Sequence, residues 1–270
     1  MARVIAFHDV PSETAFRRVI AALPQPAEKS HSSRRRRPPL ITFDDGHHSV
    51  VEKALPVLIE FRVKATLFVC PGLVQSGSAF WWDHVRSTPS EDLPDTLRRQ
   101  EDPARWLKRQ PDEVRREVLA SLPPPKDLSR RSLNEAELRR WIGSGMEVGS
   151  HTWDHPCLDQ CTPEEQVRQV THAHEWLLSF TGEPPTSFAY PNGDWAQPTE
   201  DALIALGYDE AYLFDHRVGT RRQHPLRRSR LKLDASASPI RTRLIASGIH
   251  PRLMHGRDAL KRSLPGRRSR

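Results

Sequence analysis

Short apolar runs alternate along this chain with segments in which apolar residues recur at helical spacing. Runs of three to five residues rich in Val, Ile, Leu, Ala and Phe are typical of buried strands. They occupy residues 4–7, 40–43, 65–69, 146–148, 187–190 and 210–213. Because strands that alternate with helices usually form a parallel sheet, this order predicts an α/β fold.

Four helices are predicted between these strands. They cover residues 51–61, 135–142, 162–182 and 199–206. The third has the clearest boundaries, since Thr162, Pro163 and Glu165 match a capping box and Gly182 is a typical stop. These signals predict a helix of about five turns in the second half of the chain.

Three segments interrupt the alternation. Residues 31–39 form a loop rich in Ser, Arg and Pro. Residues 86–130 are charged and Pro-rich, with weak helical patterns and too few apolar residues for a core of their own. We interpret them as an insertion in a single domain that covers residues 1–240. Residues 241–270 are then a basic C-terminal extension with one helix.

The charge of the chain restricts the classes of function. The formal net charge is +7, and much of the excess lies in arginine clusters at residues 34–37, 221–222, 227–230 and 267–270. These clusters have no interleaved aromatic residues and no recognisable DNA-binding motif, which favours a solvated surface over a specific nucleic-acid site. Attraction to an anionic polymer or to a membrane surface stays open.

Targeting signals and cysteines add two expectations. No apolar run is long enough to span a bilayer, and residues 1–8 lack the features of a signal peptide. We therefore expect a cytoplasmic location, with peripheral attachment to a membrane as an alternative. Cys70, Cys157 and Cys161 do not form a disulfide framework. Cys157 and Cys161 could instead contribute to a metal site, whereas Cys70 is expected in the core.

Two motifs combine carboxylate and imidazole groups. An apolar strand ends in Asp44 and Asp45, followed by Gly46, as expected for a strand that delivers acidic side chains to the rim of a sheet. His151 and His155 are four residues apart and can reach one ion. One aspartate and two histidines leave coordination positions open, as a hydrolytic metal centre requires. The second aspartate can then act as a base.

A third motif makes the pattern specific. Thr-Phe-Asp-Asp-Gly at 42–46, Ser-His-Thr-x-x-His-Pro at 150–156 and Phe-Ala-Tyr-Pro-Asn-Gly at 188–193 occur in this order. The set resembles the polysaccharide deacetylase family, which is carbohydrate esterase family 4 with the NodB-homology domain. The resemblance covers residues 3–235 and includes features of the exopolysaccharide-deacetylase-like subset. It implies a distorted (β/α) barrel.

The resemblance also implies a role for each motif. Asp45, His151 and His155 would hold a divalent metal ion, with Zn²⁺ as the first choice and Co²⁺, Ni²⁺ or Fe²⁺ as alternatives. Asp44 would be the general base that takes a proton from the attacking water. A backbone N–H of the third motif would stabilise the tetrahedral intermediate, and this position maps to Asn192.

Two aromatic residues are candidates for contact with the substrate. Tyr190 lies within the third motif, beside the expected oxyanion donor. Trp82 belongs to a Trp-Trp-Asp segment that resembles one following the third strand in relatives. Aromatic faces stack on sugar rings, so Trp82 is predicted to line the substrate groove, with core packing as the alternative.

The chain departs from the family pattern around the base. Ala189 stands where many members have an arginine that orients the base, and Asn192 stands where they have tyrosine. The exopolysaccharide-type subset instead carries an arginine after a Pro-Leu stretch. The matching segment here is 224–230, which makes Arg230 the candidate partner of Asp44. The alternative is that Arg230 is one surface arginine among many.

The general acid has the weakest sequence signal. Most members have a late Leu-x-His on the last strand, and this chain has no clear copy. His250 and His255 lie in that part of the chain, but their surroundings are not strand-like. His8 follows the first strand and resembles a Tyr-His motif of the exopolysaccharide-type enzymes. We therefore predict that His8 reaches the site, with a structural role in the loop as the alternative.

Together these features predict a metal-dependent hydrolase that removes N-acetyl groups from an N-acetylated sugar or polysaccharide and releases acetate. Two alternatives stay open: a hydrolase of another non-peptide amide on the same fold, and a degenerate, non-catalytic glycan-binding or scaffold protein. The missing arginine and Leu-x-His motifs are the reason for keeping the second. Nucleic-acid binding through the basic clusters would require a steep salt dependence.

Overall fold

A computed structural model describes residues 3–24, 38–125, 131–220 and 223–249. The strands are β1 Val4–Phe7, β2 Leu40–Phe43, β3 Ala65–Val69, β4 Glu147–Ser150, β5 Ser187–Ala189, β6 Glu210–Tyr212 and β7 Leu231–Lys232. In these ranges they form one sheet in the order β6-β5-β4-β3-β2-β1-β7, and every neighbouring pair is parallel. The sheet curls into a distorted (β/α) barrel, so the predicted fold class is confirmed.

The register of the strands brings the predicted motifs to one edge of the barrel. Phe7 and Phe43, the last residues of β1 and β2, are paired. His8 and Asp44 therefore leave the sheet side by side. His151 directly follows β4, which runs in the same direction. The carboxyl ends of these strands thus build a common rim, as in other parallel barrels.

Helices connect the strands and cover the outside of the sheet. Within the described ranges the α-helices are α1 Glu13–Ala22, α2 Leu55–Glu60, α3 Pro71–Ser76, α4 Trp81–Ser87, α5 Asp95–Arg98, α6 Pro103–Leu107, α7 Asp112–Ser121, α8 Glu135–Gly143, α9 Pro163–Thr181, α10 Gln197–Ala205 and α11 Pro239–Ala246. None of these is both long and apolar enough to cross a bilayer. All four predicted helices are present, with boundaries shifted by one to a few residues.

The predicted capping box of α9 is only half formed. The Thr162 hydroxyl accepts a hydrogen bond from the Glu165 N–H at 3.2 Å, as an N-cap does. The Glu165 carboxylate, however, binds Arg168 and Gln169 rather than returning to the cap. The C-terminal signal is confirmed, because Gly182 has a left-handed φ of 83°.

Several elements were missed, namely α1, α3, α4 and β7, and one predicted helix is irregular. The periodicity of Phe16, Val19 and Ile20 produces α1, which buries these residues. β7 has only two residues, too few to give a strand pattern. The predicted helix 51–61 begins as a π-helical turn, since Pro56 has no N–H to donate to the preceding turn.

The main core extends beyond the predicted domain boundary. Residue 240 lies inside α11, and Ile245 and Ala246 of this helix are buried in the same apolar cluster as the central strands. The barrel packing therefore continues at least to residue 246. His250, His255 and the remainder of the predicted basic extension lie outside the described residues.

The described part of the predicted insertion packs against the rest of the chain. Helices α4 to α7 form a separate apolar cluster that includes Val85, Leu97 and Leu107. Cys157, two residues after His155, is buried in the same cluster. The segment therefore gains its core by sharing it with the loop that carries the histidine pair.

Candidate active site

Asp45, His151 and His155 converge at the rim of the barrel. The Nε2 atoms of His151 and His155 lie 3.2 and 3.3 Å from Oδ1 of Asp45. The three ligand atoms lie within 4.8 Å of one another, and all three residues are buried. In the described part of the chain this is the one group of His, Cys, Asp or Glu side chains arranged to hold a metal ion. Cys157 and Cys161 are separate free thiols.

The charge states of these residues suit a divalent ion. Burial raises the pKa of Asp45, but the two imidazole groups beside it outweigh burial and hold that pKa well below its usual range. Burial lowers the pKa of His155, which keeps this ring neutral. A carboxylate and neutral imidazoles are the forms that bind metal. The donor set thus fits zinc or a similar transition metal.

The orientation of His151 is fixed by the backbone of the third motif. Its Nδ1 donates to the carbonyl oxygen of Ala189 at 2.6 Å. This contact directs Nε2, with its lone pair, towards Asp45. Such a partner on the second ring nitrogen is common for histidines that ligate metals. Ala189 therefore contributes through its backbone at a position where the family arginine would contribute a side chain.

Three residues of the site have a left-handed backbone. Their φ angles are 70° for Asp45, 59° for His155 and 57° for Asn192. Residues other than glycine rarely adopt this region, and the conformation costs roughly 1–3 kcal/mol at each position. The surrounding contacts must therefore hold the loops in place.

Arg230 pairs with Asp44, which precedes the metal candidate Asp45. Its Nη1 and Nη2 donate to the two carboxylate oxygens at 2.6 and 2.7 Å, and its Nε donates to the carbonyl oxygen of Leu213. Both Arg230 and Asp44 are buried, at 0% and 2% exposure. Burial raises the pKa of Asp44, but the guanidinium outweighs it and lowers that pKa. Asp44 is therefore ionised at neutral pH, and Arg230 is not a surface arginine.

The loop between the two histidines is held from two sides. Gln169 on α9 is fully buried, and its Oε1 accepts hydrogen bonds from the backbone N–H groups of Trp153 and Asp154 at 2.9 and 3.2 Å. Arg116 on α7 donates to both carboxylate oxygens of Asp154 at 2.8 and 3.1 Å. These bonds restrain the loop between His151 and His155.

A pocket of about 230 Å³ opens onto these residues. Its lining consists of His8, Asp44, Asp45, Trp82, Arg86, Lys108, His151, His155, Asn192 and Phe214. The structure thus brings the predicted acidic residues, the histidine pair, His8, Trp82 and Asn192 to one cavity. Trp82 contacts the ring of His155 at a centroid distance of 4.6 Å.

Tyr190 is the predicted site residue whose side chain lies elsewhere. It is fully buried in a second apolar cluster, and its hydroxyl donates to the carbonyl oxygen of Leu226 at 3.0 Å. The side chain follows β5, where alternate residues point to opposite faces of the sheet. Tyr190 therefore supports the third motif from the core, and its hydroxyl does not line the pocket.

Arg86, Lys108 and Phe214 line the pocket without having been predicted. Arg86 and Lys108 come from the charged segment interpreted as an insertion, where no motif distinguishes one basic residue from another. Phe214 follows β6 and contacts the ring of His8 at a centroid distance of 4.6 Å. Its position after a strand was the signal available in the sequence.

The last strand that the structure describes, β7, provides no imidazole to the pocket. β7 and the residue after it read Leu231-Lys232-Leu233, so leucine occupies the third position of a Leu-x-His pattern. Among the described residues, the pocket histidine other than the metal candidates is His8.

Comparisons with known proteins agree with this geometry. The sequence model of the family described as polysaccharide deacetylase matches residues 31–211. YxkH of Bacillus subtilis is 22% identical over 169 residues, which are 63% of this chain and 42% of YxkH. The chain therefore spans less than half the length of that curated relative.

Solved structures share the fold. The Streptococcus pyogenes deacetylase PplD, solved in complex with acetate, has a TM-score of 0.63 and 15% identity, with coverage of 92% of this chain and 97% of PplD. IcaB from Ammonifex degensii has a TM-score of 0.57 and 19% identity, with 92% and 96% coverage. The family match extends over more than half of the chain, and the chain therefore belongs to the polysaccharide deacetylase family of hydrolases.

Proposed function

We propose that this protein is a metal-dependent deacetylase that hydrolyses the N-acetyl group of an N-acetylated sugar or polysaccharide. The observation that carries the proposal is the group of Asp45, His151 and His155 beside the ionised Asp44 in one pocket. The fold shared with PplD, whose structure contains acetate, supports it. We take residues 1–240, extended by α11, as the catalytic domain, and residues 86–130 as an insertion beside the pocket.

Asp45, His151 and His155 would hold the ion. Zn²⁺ is the first candidate because imidazole nitrogen and carboxylate oxygen suit it, and Co²⁺, Ni²⁺ or Fe²⁺ fit the same donors. When bound, such an ion polarises the acetyl carbonyl and lowers the pKa of water. The protein residues around it then control the transfer of protons and the position of the substrate.

Asp44 is the proposed general base. Its carboxylate accepts a proton from water, and the water oxygen forms a bond to the acetyl carbon. Arg230 keeps Asp44 ionised and holds it in one orientation through two hydrogen bonds. Asn192, through its backbone N–H, is the proposed donor to the developing oxyanion. Proton acceptance by Asp44 thus assists formation of the tetrahedral intermediate, and the Asn192 N–H stabilises its oxyanion.

His8 is the proposed general acid. It lines the same pocket as the metal candidates and is the remaining imidazole available there among the described residues. Donation of its proton to the sugar nitrogen allows the carbon–nitrogen bond to break. The products are acetate and a free amine. Trp82 is proposed to stack on the sugar ring at the mouth of the pocket.

The test is acetate release from N-acetylglucosamine oligomers. We expect protein treated with a chelator to be inactive and added Zn²⁺ to restore activity. The reason is that the proposal assigns polarisation of the acetyl carbonyl to the bound ion. Activity that persists fully without metal would instead indicate a metal-independent amide hydrolase. A protein that binds the oligomers and zinc but releases no acetate would be a glycan-binding protein.

Arg116 offers a test of loop positioning. We expect Arg116→Met to weaken Zn²⁺ binding by up to about tenfold, because Asp154 loses its bidentate partner and the loop between the histidines is less restrained. Competition with a fluorescent zinc chelator measures this directly. Arg168→Met is the matched control, since Arg168 binds Glu165 but does not contact Asp154. Equal zinc affinities for the two variants would contradict a positioning role.

A further inference from the structure

We propose that the pocket recognises a carboxylate or phosphate group on the acetylated sugar, through Lys108 with Arg86 beside it. The inference rests on the proposed function for the identity of the sugar, but not for the presence of the anion site. It assigns a substrate class, namely N-acetylated sugars that carry an anionic substituent.

Lys108 is placed at the pocket by two contacts. It follows α6, and its Nζ donates to Oδ1 of Asn192 at 2.7 Å. The same Nζ lies 5.9 Å from the centroid of the Trp82 ring. An ammonium group has three donors, and the Asn192 bond uses one of them. The ammonium therefore lies between the proposed sugar platform and the proposed oxyanion donor, with donors left for a ligand.

Lys108 has no ion-pair partner within the ranges that the structure describes. Arg86, the second cation of the pocket, approaches one carboxylate, that of Asp83 at 3.9 Å. The arginines near β7 behave differently, since Arg227 and Arg230 each contact a carboxylate through two hydrogen bonds. Burial raises the pKa of the Asp194 carboxyl and the charge of Lys108 opposes this rise, but the two groups form no direct ion pair. The Lys108 ammonium is thus available to pair with a ligand.

The two carboxylates of the site, Asp44 and Asp45, do not need Lys108 and Arg86 as counter-ions. Asp44 is neutralised by Arg230, and Asp45 would face a divalent ion. With Asp44 and Arg230 paired, Lys108 and Arg86 exceed the single charge of Asp45, so the charged residues of the pocket are net positive even without an ion. A concave site of one sign attracts ligands of the opposite sign. A neutral sugar would leave this charge unused, whereas a carboxylate or phosphate would pair with it.

The neighbouring cavity helps to locate the anion. A cavity of about 650 Å³ shares His8 and Phe214 with the pocket and continues past β7. Its cations are accompanied by Asp9 and Asp234, so both signs are present there. The cation without a direct ion pair, Lys108, lies instead next to Trp82, which does not line this second cavity. We therefore place the anionic group on the Trp82 side of the acetamido group.

Three sugars with the same ring distinguish the sources of the anion: N-acetylglucosamine, its 6-phosphate and N-acetylmuramic acid, which carries a carboxylate. Binding is measured by titration calorimetry on the metal-free protein, where no turnover occurs. We expect at least one anionic sugar to bind about tenfold more tightly than the neutral sugar. A preference for the phosphate alone, for the carboxylate alone or for both identifies the source.

Lys108→Met and Arg105→Met are the matched variants. Both remove one positive charge from the same short segment, but Arg105 is exposed and does not line the pocket. We expect Lys108→Met to lose the tenfold preference while its affinity for the neutral sugar changes less than threefold, and Arg105→Met to keep the preference. Equal binding of all three sugars to the wild type, or an equal loss for neutral and anionic sugars in Lys108→Met, would overturn the inference.

Acetate release by the zinc-loaded protein is measured separately with the same sugars and their oligomers. Discrimination in binding without any acetate release would leave the anion site standing and reject the proposed function. Acetate release without discrimination between neutral and anionic sugars would support the proposed function and reject the anion site.

Discussion

Replacing Asp44 with asparagine is expected to lower kcat for acetate release by a factor of about 10²–10⁴. Asparagine has nearly the same shape, but its amide cannot take a proton from water. The three metal candidates are unchanged, so Zn²⁺ should still bind. Steady-state assays of acetate, together with the zinc content of the purified variant, check both parts of this expectation.

A conservative change elsewhere provides the control for this experiment. Asp159 is an exposed aspartate just beyond the histidine loop, and it does not line the pocket. Asp159→Asn should keep kcat within a factor of about two, since surface substitutions rarely affect distant groups. Wild-type kcat in Asp44→Asn would show that another group accepts the proton, and the assignment of the base would be abandoned.

Replacing Arg230 with methionine is expected to lower the free energy of unfolding by about 3–5 kcal/mol. The change removes the partner of a carboxylate that is 2% exposed, and Asp44 would then be a buried charge without a counter-ion. Arg17→Met is the contrasting variant, because Arg17 pairs with Glu13 and Glu60 at the surface. Exposed pairs contribute about 0–1 kcal/mol. Urea denaturation measures both.

A double variant separates lost charge pairing from lost packing. Arg230→Met combined with Asp44→Asn removes both charges, so part of the stability lost in Arg230→Met should return. The two effects are then strongly non-additive, as expected for residues in direct contact. A double variant that is less stable than Arg230→Met alone would show that packing around the guanidinium, rather than the unpaired carboxylate, causes the loss.

The same pair predicts a dependence on pH. The pKa of Asp44 is lowered in the folded wild type, so its contribution to stability is present above the unfolded value of about 3.9 and is lost as pH falls through the folded value. Without Arg230, the main influence that lowers the pKa of Asp44 is lost, so this pKa is higher in the variant than in the wild type. As pH falls, Asp44 is protonated in the variant before it is protonated in the wild type, and the cost of its unpaired buried charge then disappears. The stability difference between wild type and Arg230→Met should therefore shrink as pH falls from 7 towards 4.

The site residues that could be assigned to the rim of the barrel from the sequence are those that directly follow strands. Asp44, Asp45 and His151 come immediately after β2 and β4, and the C-terminal rim of a parallel barrel collects such positions. His8 follows β1 for the same reason. The resemblance supplied Arg230, which the geometry pairs with Asp44. Its complete burial was not evident, because an arginine cluster in sequence normally indicates a solvated surface.

Residues that act across long sequence separations could not be placed. Lys108 bonds to Asn192, 84 residues away, and Arg116 bonds to Asp154, 38 residues away. These contacts depend on how α6 and α7 dock against the rim, which no local periodicity encodes. Tyr190 shows a different limit: its motif was recognised, but the side to which its ring points depends on the exact register at the end of β5.

The left-handed backbone at Asp45, His155 and Asn192 has a consequence for redesign of the site. Copying the side chains alone onto another barrel would not reproduce the centre, because a loop that relaxes to ordinary dihedral angles would turn the donors away from one another. A transplanted version also needs the restraints that hold the loops, including Gln169 and Arg116. The transferable unit is therefore the three side chains, their dihedral angles and the braces behind them.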